Sequence, residues 1–317
     1  MSVEKIVHPG GLRAWLQQRG ETGPVAVVTG TYDILQPGNL RVLAMAQTQA
    51  AAVLVILETD EQARRHADAG PPRNALAHRM EMISNLRNVT GVTWGGRDLF
   101  QGSIASGQPL IWVVGERDAN CDEMGQRLLQ EGAIRVTVAN LPGCSTEEVR
   151  CAIRENRTPV LLPGGMYDSV LPVRGLPSRG GRVTVNGCFD ILHIGHIRFL
   201  ARARAMGDSL TVLMNDDASV ARYKGLTRPI FPLSFRRAAL LAFERVDEVQ
   251  PFGGDNPLEL MAQLRPDIHV KGGSFEESRV KSERELMESW GGRLECTPME
   301  DGFSTSNYIR GVLQLEG

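Results

Sequence analysis

An internal repeat is the feature that most limits what this chain can fold into. Residues 29–43 align without gaps to residues 186–200, an offset of 157, and seven of the fifteen aligned positions are identical. Further along, residues 113–115 fall opposite 270–272. Residues 143–146 fall opposite 302–305 with a small change in length. In a chain of 317 residues, this duplication predicts two copies of one domain.

Each copy shows strands alternating with helices. An apolar run leads into a glycine-containing turn, then a helical pattern and another apolar run, which is typical of a βαβ unit. In the second copy the predicted elements are a helix from about His196 that ends at Gly207, a strand at 211–214, a helix capped by Ser234 that runs through Phe243, a helix from 256–257, a strand at 268–270 and a helix over 277–290. This alternation predicts an α/β fold: two tandem Rossmann-like domains, each with a parallel sheet whose strand ends hold the ligand.

The domain boundaries follow from composition. Residues 158–181 are rich in proline and glycine and have little periodicity, so we predict a linker there. The first domain is then predicted at 1–157 and the second at 182–317. A nucleotide would lie near residues 186–196, which follow the first strand of the second copy.

Charge and hydropathy argue against several classes of protein. The formal net charge of −2 offers no general attraction to nucleic acid, and no apolar run reaches the ~18 residues of a membrane span. We therefore expect no nucleic-acid partner, no membrane insertion and a cytoplasmic location. The five cysteines are odd in number and form no Cys-x-x-Cys pair, which favours free thiols over disulfides or a protein-bound metal.

Two histidines are the strongest candidates for chemistry. His193 and His196 flank Gly195 in a His-x-Gly-His string that follows a strand and opens a helix, where free backbone N–H groups and the helix dipole favour an anion. Gly195 would allow a phosphate to approach closely, and Gly187 would provide the tight turn after the strand. An isolated string of this kind is more often a pair of ordinary histidines, so its context decides.

Other polar residues complete the predicted site. Ser304, Thr305 and Ser306 precede a helical pattern and could hold phosphates, although helix capping alone would also explain them. Lys224, Arg228, Arg236 and Lys271 are candidate cations for a phosphorylated substrate, with solvated basic side chains as the alternative. Asp190 and Asp216 could orient ribose, a histidine or magnesium, or could equally be structural turn carboxylates.

Residues 187–198, read with residues 302–307, resemble the signature of the nucleotidylyltransferase superfamily typified by the cytidylyltransferases. The resemblance implies a nucleoside triphosphate with Mg²⁺ and a small phosphorylated acceptor. His193, His196, Lys224 and Arg236 are then the predicted catalytic residues, and Asp216 and Arg228 the predicted substrate ligands. The predicted nucleotide ligands are Gly187, Cys188, Phe189, Asp190, Gly195, Lys271, Gly272, Ser304, Thr305 and Ser306.

Within that superfamily, residues 182–315 most resemble the adenylyltransferase domain of the bacterial ADP-heptose pathway, which acts on D-glycero-β-D-manno-heptose 1-phosphate. That resemblance implies ATP as donor. CTP-dependent relatives typically carry Arg-Thr-Glu-Gly before the serine segment, whereas this chain reads Met-Glu-Asp-Gly at 299–302. Two alternatives stay open. One is a cytidylyltransferase for phosphoethanolamine, glycerol 3-phosphate or a pentitol phosphate, and the other is a silent nucleotide-binding scaffold.

The first copy lacks the residues that would bind phosphate. Gln36 and Asn39 stand where the second copy has its two histidines, and Val114 stands where it has Lys271. We therefore predict a degenerate domain that supports the second copy without turnover. Because many relatives of the second copy pair as homodimers, the two halves are predicted to form an intramolecular pseudo-dimer, with a homo-oligomer also possible.

Overall fold

The computed structural model describes residues 3–65, 71–100, 109–118, 120, 122–141, 145–156, 181–273, 277–298, 300 and 302–314. The chain divides into two compact units, Met1–Cys151 with Gln314–Gly317, and Ala152–Leu313. We call them the first and second unit. Residues 158–180 of the predicted linker lie outside the described residues.

The N-terminal half alternates strands with helices. Its strands are β1 (Val25–Gly30), β2 (Ala52–Leu57), β3 (Gly91–Trp94), β4 (Leu110–Gly115) and β5 (Ile134–Val138). Its helices are α1 (Leu12–Gly20), α2 (Pro37–Gln49), α3 (Asp60–Arg65), α4 (Leu76–Ser84), α5 (Glu123–Gln130) and α6 (Thr146–Arg154), with 3₁₀ turns at Val3–Lys5, Pro9–Gly11 and Arg97–Phe100.

The C-terminal half repeats this order. Its strands are β6 (Arg182–Gly187), β7 (Ser209–Asn215), β8 (Glu248–Phe252), β9 (Ile268–Gly272) and β10 (Arg293–Thr297). Its helices are α7 (Ile194–Arg204), α8 (Asp217–Lys224), α9 (Leu233–Leu241), α10 (Leu258–Leu264), α11 (Glu277–Glu288) and α12 (Thr305–Leu313).

The two sheets have one topology. The strand orders are β3-β2-β1-β4-β5 and β8-β7-β6-β9-β10, and the strand pairs are parallel. The strands β2 and β7 are buried along their whole length, as expected when helices cover both faces of a parallel sheet. The predicted fold class, two tandem Rossmann-like domains, is confirmed.

The repeat extends to strand register. Val25 pairs with Ala52 in the first sheet, and Arg182 pairs with Ser209 in the second, so both partners are displaced by the same 157 residues. The offset becomes 159 at the last strand, since Ile134 lies opposite Ile111 whereas Arg293 lies opposite Ile268. The small length change seen in the sequence therefore falls between β9 and β10.

Helix starts are where local prediction was least accurate. The helix predicted from about His196 begins at Ile194, with His193 as its N-cap residue. The helix predicted from Ser234 begins at Leu233 after Pro232 and ends at Leu241, so Ser234 is not its cap. Both errors arise because an N-cap residue is extended and precedes the first residue of the apolar pattern.

Candidate functional site

The candidate site of the second unit lies where the strand order reverses. The central strand β6 has β7 on one side and β9 on the other, so the connections leaving its carboxyl end diverge and leave a crevice. Asn186 and Gly187 end β6, while Lys271 and Gly272 end β9 at the same edge of the sheet. The predicted nucleotide ligands Gly187, Lys271 and Gly272 are therefore brought together.

The turn after β6 is held from within. Phe189 is buried in a left-handed conformation with φ of 46°, and a Cβ placed on Gly187 would lie 3.0 Å from its ring. Asp190 is buried and accepts hydrogen bonds from the backbone N–H of Ile230 and of Phe231, both at 2.9 Å. Arg228 donates Nε to the same carboxylate at 2.7 Å. These contacts match a structural carboxylate that stabilises the turn, and Arg228 is the ion-pair partner of Asp190.

Arg236 was predicted as a catalytic cation, and its environment gives it a structural role. Its side chain is fully buried, and four contacts hold it. They are Nε to the Phe231 carbonyl at 3.0 Å, Nη1 to the carbonyls of Cys188 and Asn215 at 2.6 and 2.9 Å, and Nη2 to Asp217 at 2.7 Å. A guanidinium committed in this way joins the turn to β7, α8 and α9. Its geometry supports positioning, not substrate contact.

The histidine pair lies at the start of α7. The rings of His193 and His196 stack with centroids 3.7 Å apart, and His196 also meets the Phe189 ring at 5.2 Å. Both Nδ1 atoms are buried and have no hydrogen-bond partner among the described residues. Burial lowers the pKa of His193 to about 4, and burial together with His193 holds the pKa of His196 well below its ordinary value. Both imidazoles are therefore neutral at physiological pH.

The start of α12 lies against the same turn. Thr305 donates Oγ1 to the carbonyl of Ile191 at 3.1 Å, and a Cβ on Gly195 would lie 3.1 Å from His193 Nδ1 and 3.2 Å from Phe303 Cβ. A side chain at residue 195 would therefore force His193 or Phe303 to shift by a few tenths of an ångström. Ser304 accepts the N–H of Asn307 at 3.0 Å as a helix cap, while Ser306 is exposed.

The other predicted residues surround the crevice less closely. Lys224 is exposed at the end of α8, and its charge opposes the burial that raises the pKa of the half-buried Cys188 thiol. Asp216 caps α8 by accepting the N–H of Ser219 at 2.7 Å. That bond is a structural role, and it leaves the predicted substrate contact of Asp216 as a prediction.

Sequence reasoning missed several side chains that the fold places beside the site. Lys271 donates Nζ to Asn186 Oδ1 at 3.0 Å and to Glu283 Oε1 at 2.7 Å. Glu300, just before the serine segment, is bound by Arg198 at 3.1 Å and by Arg202 at 2.9 Å, and the hydrogen bond from Arg202 is the main cause of its lowered pKa. Glu283 belongs to no local motif, so only three-dimensional proximity identifies it. Glu300 lies in the segment 299–302 already compared with Arg-Thr-Glu-Gly, but its two arginine partners are about 100 residues earlier in the chain.

The corresponding turn of the first unit is closed by its own side chains. Gln36 Oε1 accepts the N–H of Gly38 at 2.5 Å, and Asn39 Oδ1 accepts the N–H of Gln36 at 3.2 Å, so the start of α2 is capped. In α7, among the residues described, no side chain makes the equivalent cap. Trp112, fully buried, stands at the position of His269 and donates to Thr29 at 3.4 Å.

The model of the cytidylyltransferase-like family matches the chain twice, at residues 27–151 and 184–311. The chain belongs to the cytidylyltransferase-like family. It is therefore a nucleotidyltransferase, and the duplication seen in the sequence is a duplication of that domain.

The curated relatives match its C-terminal half. The bifunctional protein HldE of Syntrophotalea carbinolica is 43% identical over 150 residues, which are 47% of this chain and 30% of that protein. HldE of Pectobacterium atrosepticum is 47% identical over 132 residues, 41% of this chain and 27% of that protein. The matched region thus spans less than a third of these relatives' length. A lipopolysaccharide core biosynthesis protein from Thermoplasma volcanium is 29% identical, with a TM-score of 0.33, over 38% of this chain and 98% of the other.

In the part of the chain that the structure describes, no helix combines the length and apolar character needed to cross a membrane. The predicted cytoplasmic location stays a prediction.

Proposed function

We propose that the second unit transfers a nucleoside monophosphate from a nucleoside triphosphate to a sugar phosphate and releases pyrophosphate. The observation that carries this proposal is the buried, stacked histidine pair at the start of α7, whose two Nδ1 atoms find no partner among the described residues. Leaving buried polar atoms unsatisfied is costly, so a ligand is the natural partner. At a helix start beside Gly195, that ligand would be a phosphate group.

The reaction needs no covalent enzyme intermediate. An oxygen of the acceptor's phosphate attacks the α-phosphorus in line, the bond from that phosphorus to the bridging oxygen breaks, and the β- and γ-phosphates leave as pyrophosphate. His193 and His196 donate hydrogen bonds to the phosphate oxygens, together with backbone N–H groups at the start of α7. The charges of Lys224 and Lys271 offset repulsion between the two anions.

Magnesium enters this proposal as the counter-ion of the triphosphate. Among the residues described, no three histidine, cysteine, aspartate or glutamate side chains are placed to hold a metal ion. In the proposed reaction the described residues therefore act on the phosphates, and the ion would be held through the triphosphate.

The acceptor we favour is D-glycero-β-D-manno-heptose 1-phosphate, with ATP as donor and ADP-heptose as product. Support comes from the 43–47% identity to proteins named HldE, taken with the resemblance of residues 182–315 to the adenylyltransferase domain of ADP-heptose synthesis. The absence of Arg-Thr-Glu-Gly before Ser304 is a second, independent support.

For the first unit we propose a supporting role without turnover. Its helix α2 is capped by Gln36 and Asn39 where a phosphate would bind. Its crevice also carries carboxylates: burial raises the pKa of Asp118, and the nearby charges of Asp122 and Glu58 raise it further. Both features oppose a triphosphate. The pseudo-dimer of the two halves and a homo-oligomer stay predictions.

The test is pyrophosphate release by the full chain, with ATP and CTP each crossed against heptose 1-phosphate, glycerol 3-phosphate, phosphoethanolamine and ribitol 5-phosphate. We expect ATP with heptose 1-phosphate to be the best pair. Preference for CTP and one of the other acceptors would replace the assignment by a cytidylyltransferase. No release from any pair would favour the silent scaffold.

A further inference from the structure

A buried ion pair lies at the carboxyl ends of β6 and β9. The ammonium of Lys271 is 2.7 Å from Glu283 Oε1, and the two side chains are only 12% and 8% exposed. Asn186, which ends the neighbouring strand, accepts a second hydrogen bond from the same Nζ at 3.0 Å. The lysine is thereby held between a strand on one side and helix α11 on the other.

The fold does not need this ion pair. In the first unit the position of Lys271 is taken by Val114, which packs in the hydrophobic core, and that of Asn186 by Thr29. The first sheet nevertheless has the same strand order and the same pairing of its central strands. Since burying two charges costs desolvation energy that their attraction repays only in good geometry, stability alone does not explain the pair.

Glu283 is also incompletely satisfied. Its Oε2 atom is buried and has no hydrogen-bond partner in the described part of the chain. Thr184 and His269 lie two residues before Asn186 and Lys271 on the paired strands, and their side chains are hydrogen-bonded at 2.8 Å, so this region of the β6–β9 pair is polar inside a buried sheet. At the corresponding positions the first unit has Val27 and Trp112 in its core. The first unit, which lacks the histidine pair of α7, thus has other residues at all four of these positions: those of Thr184, Asn186, His269 and Lys271.

We propose that Glu283 is a positioning residue, which holds the Lys271 ammonium at the crevice so that it meets the phosphates of the bound nucleotide. This role rests on the proposed function, because it assigns to Lys271 a contact with the triphosphate. Glu283 itself touches neither substrate; it acts through the lysine.

The test is Glu283→Gln in the full chain, which keeps the shape of the side chain and removes its charge. With the best donor and acceptor from pyrophosphate-release assays, we expect kcat to fall about tenfold or more, as for other groups that orient a ligating side chain, while KM for the nucleotide changes less than about threefold. Glu283→Asp, which retains the charge, should recover part of the loss. The matched control is Glu285→Gln, which removes an exposed carboxylate from the same helix, 3.7 Å from Lys281, and should leave kcat unchanged.

A Lys271→Met background separates positioning from structure. If Glu283 acts through the lysine, Glu283→Gln has no further effect on kcat in that background. An equal loss in both backgrounds would overturn the proposal, as would a wild-type kcat for Glu283→Gln.

Thermal unfolding is recorded for every variant. If Lys271→Met does not fold, Glu283→Gln alone decides. A lower kcat per folded molecule with little change in KM supports positioning, whereas a lower unfolding midpoint with a normal kcat per folded molecule assigns Glu283 to the fold. Failure of the proposed function has a different result, since wild-type protein would then release no pyrophosphate.

Discussion

The two units share a framework and differ in what occupies it. In both, a buried arginine ties the turn after the central strand to its neighbours, with matching contacts at an offset of 157. Arg79 donates to the carbonyls of Asn74, Thr31 and Glu58 and to Asp60, and Arg236 donates to those of Phe231, Cys188 and Asn215 and to Asp217.

The carboxylate of that turn is retained as well. Asp33 accepts the N–H of Arg73 at 2.7 Å and of Asn74 at 2.8 Å, as Asp190 does in the second unit. Its ion-pair partner differs, however, because Arg150 from α6 takes the place that Arg228 holds. What both units retain belongs to the fold, and what the first unit lacks is the candidate chemistry.

The largest expected effect comes from breaking the shared framework. Arg79→Met and Arg236→Met each leave a carboxylate and several carbonyls without their buried partner, so each should lower the free energy of unfolding of its unit by about 3 kcal/mol or more. The measurement is denaturant unfolding followed by probes in each unit, since two units need not unfold in one transition.

Arg293→Met is the control for those variants. It removes an exposed arginine paired with Glu295, so a change below about 1 kcal/mol is expected. If Arg236→Met kept wild-type stability but lost nucleotidyl transfer, Arg236 would be a catalytic residue. The matching contacts of Arg79 and Arg236 would then not indicate a shared structural role.

The next largest effect is expected when the histidine pair of the second unit is replaced by the glutamine and asparagine of the first unit. His193→Gln with His196→Asn should lower pyrophosphate release at least about a hundredfold, because the donors to the phosphate are lost. Stability should change little, since Gln and Asn cap the start of α2 in the first unit. Turnover close to wild type would show that the histidines take no part in the reaction.

The reverse exchange sharpens the comparison. Gln36→His with Asn39→His should create no second active site, because the core residues Trp112 and Val114 still stand where the second unit has His269 and Lys271. Pyrophosphate release from this variant should equal that of wild type, and a gain would mean that the histidines alone make the site.

Sequence patterns accounted for the framework and for much of the site. The offset of 157 predicted the paired topology. In the structure Gly195 lies against His193, and Thr305 donates to Ile191 of the same turn, while the roles predicted for these residues stay predictions. The structural contacts of Arg236 could not be predicted, because the sequence does not distinguish an arginine that faces a phosphate from one that donates to four protein acceptors. The survival of Arg79 in the degenerate copy was the available clue. Glu283 left no signal, since its partner lies on a strand twelve residues earlier.

A smaller effect concerns the charge of the histidines. His193 has a pKa of about 4 in the ligand-free protein, against 6.5 ordinarily, and a bound phosphate should raise it. Imidazole NMR titration, assigned with His193→Gln, should therefore show an upward shift when a non-hydrolysable ATP analogue is added. An unchanged pKa would separate His193 from the phosphate.

The sign for stability follows from the same shift. Between pH 6.5 and 4 the unfolded chain binds a proton that the folded ligand-free protein does not, so the free energy of unfolding falls as the pH drops through that window. Bound nucleotide should oppose that loss.

The number of nucleotides bound per chain tests most directly whether one unit alone carries the chemistry. Calorimetric titration of the full chain with a non-hydrolysable ATP analogue and magnesium should give one site per chain. That site should vanish in His193→Gln with His196→Asn and persist in a variant that carries Trp112→His. Two sites per chain, or one that survives loss of both histidines, would contradict the assignment.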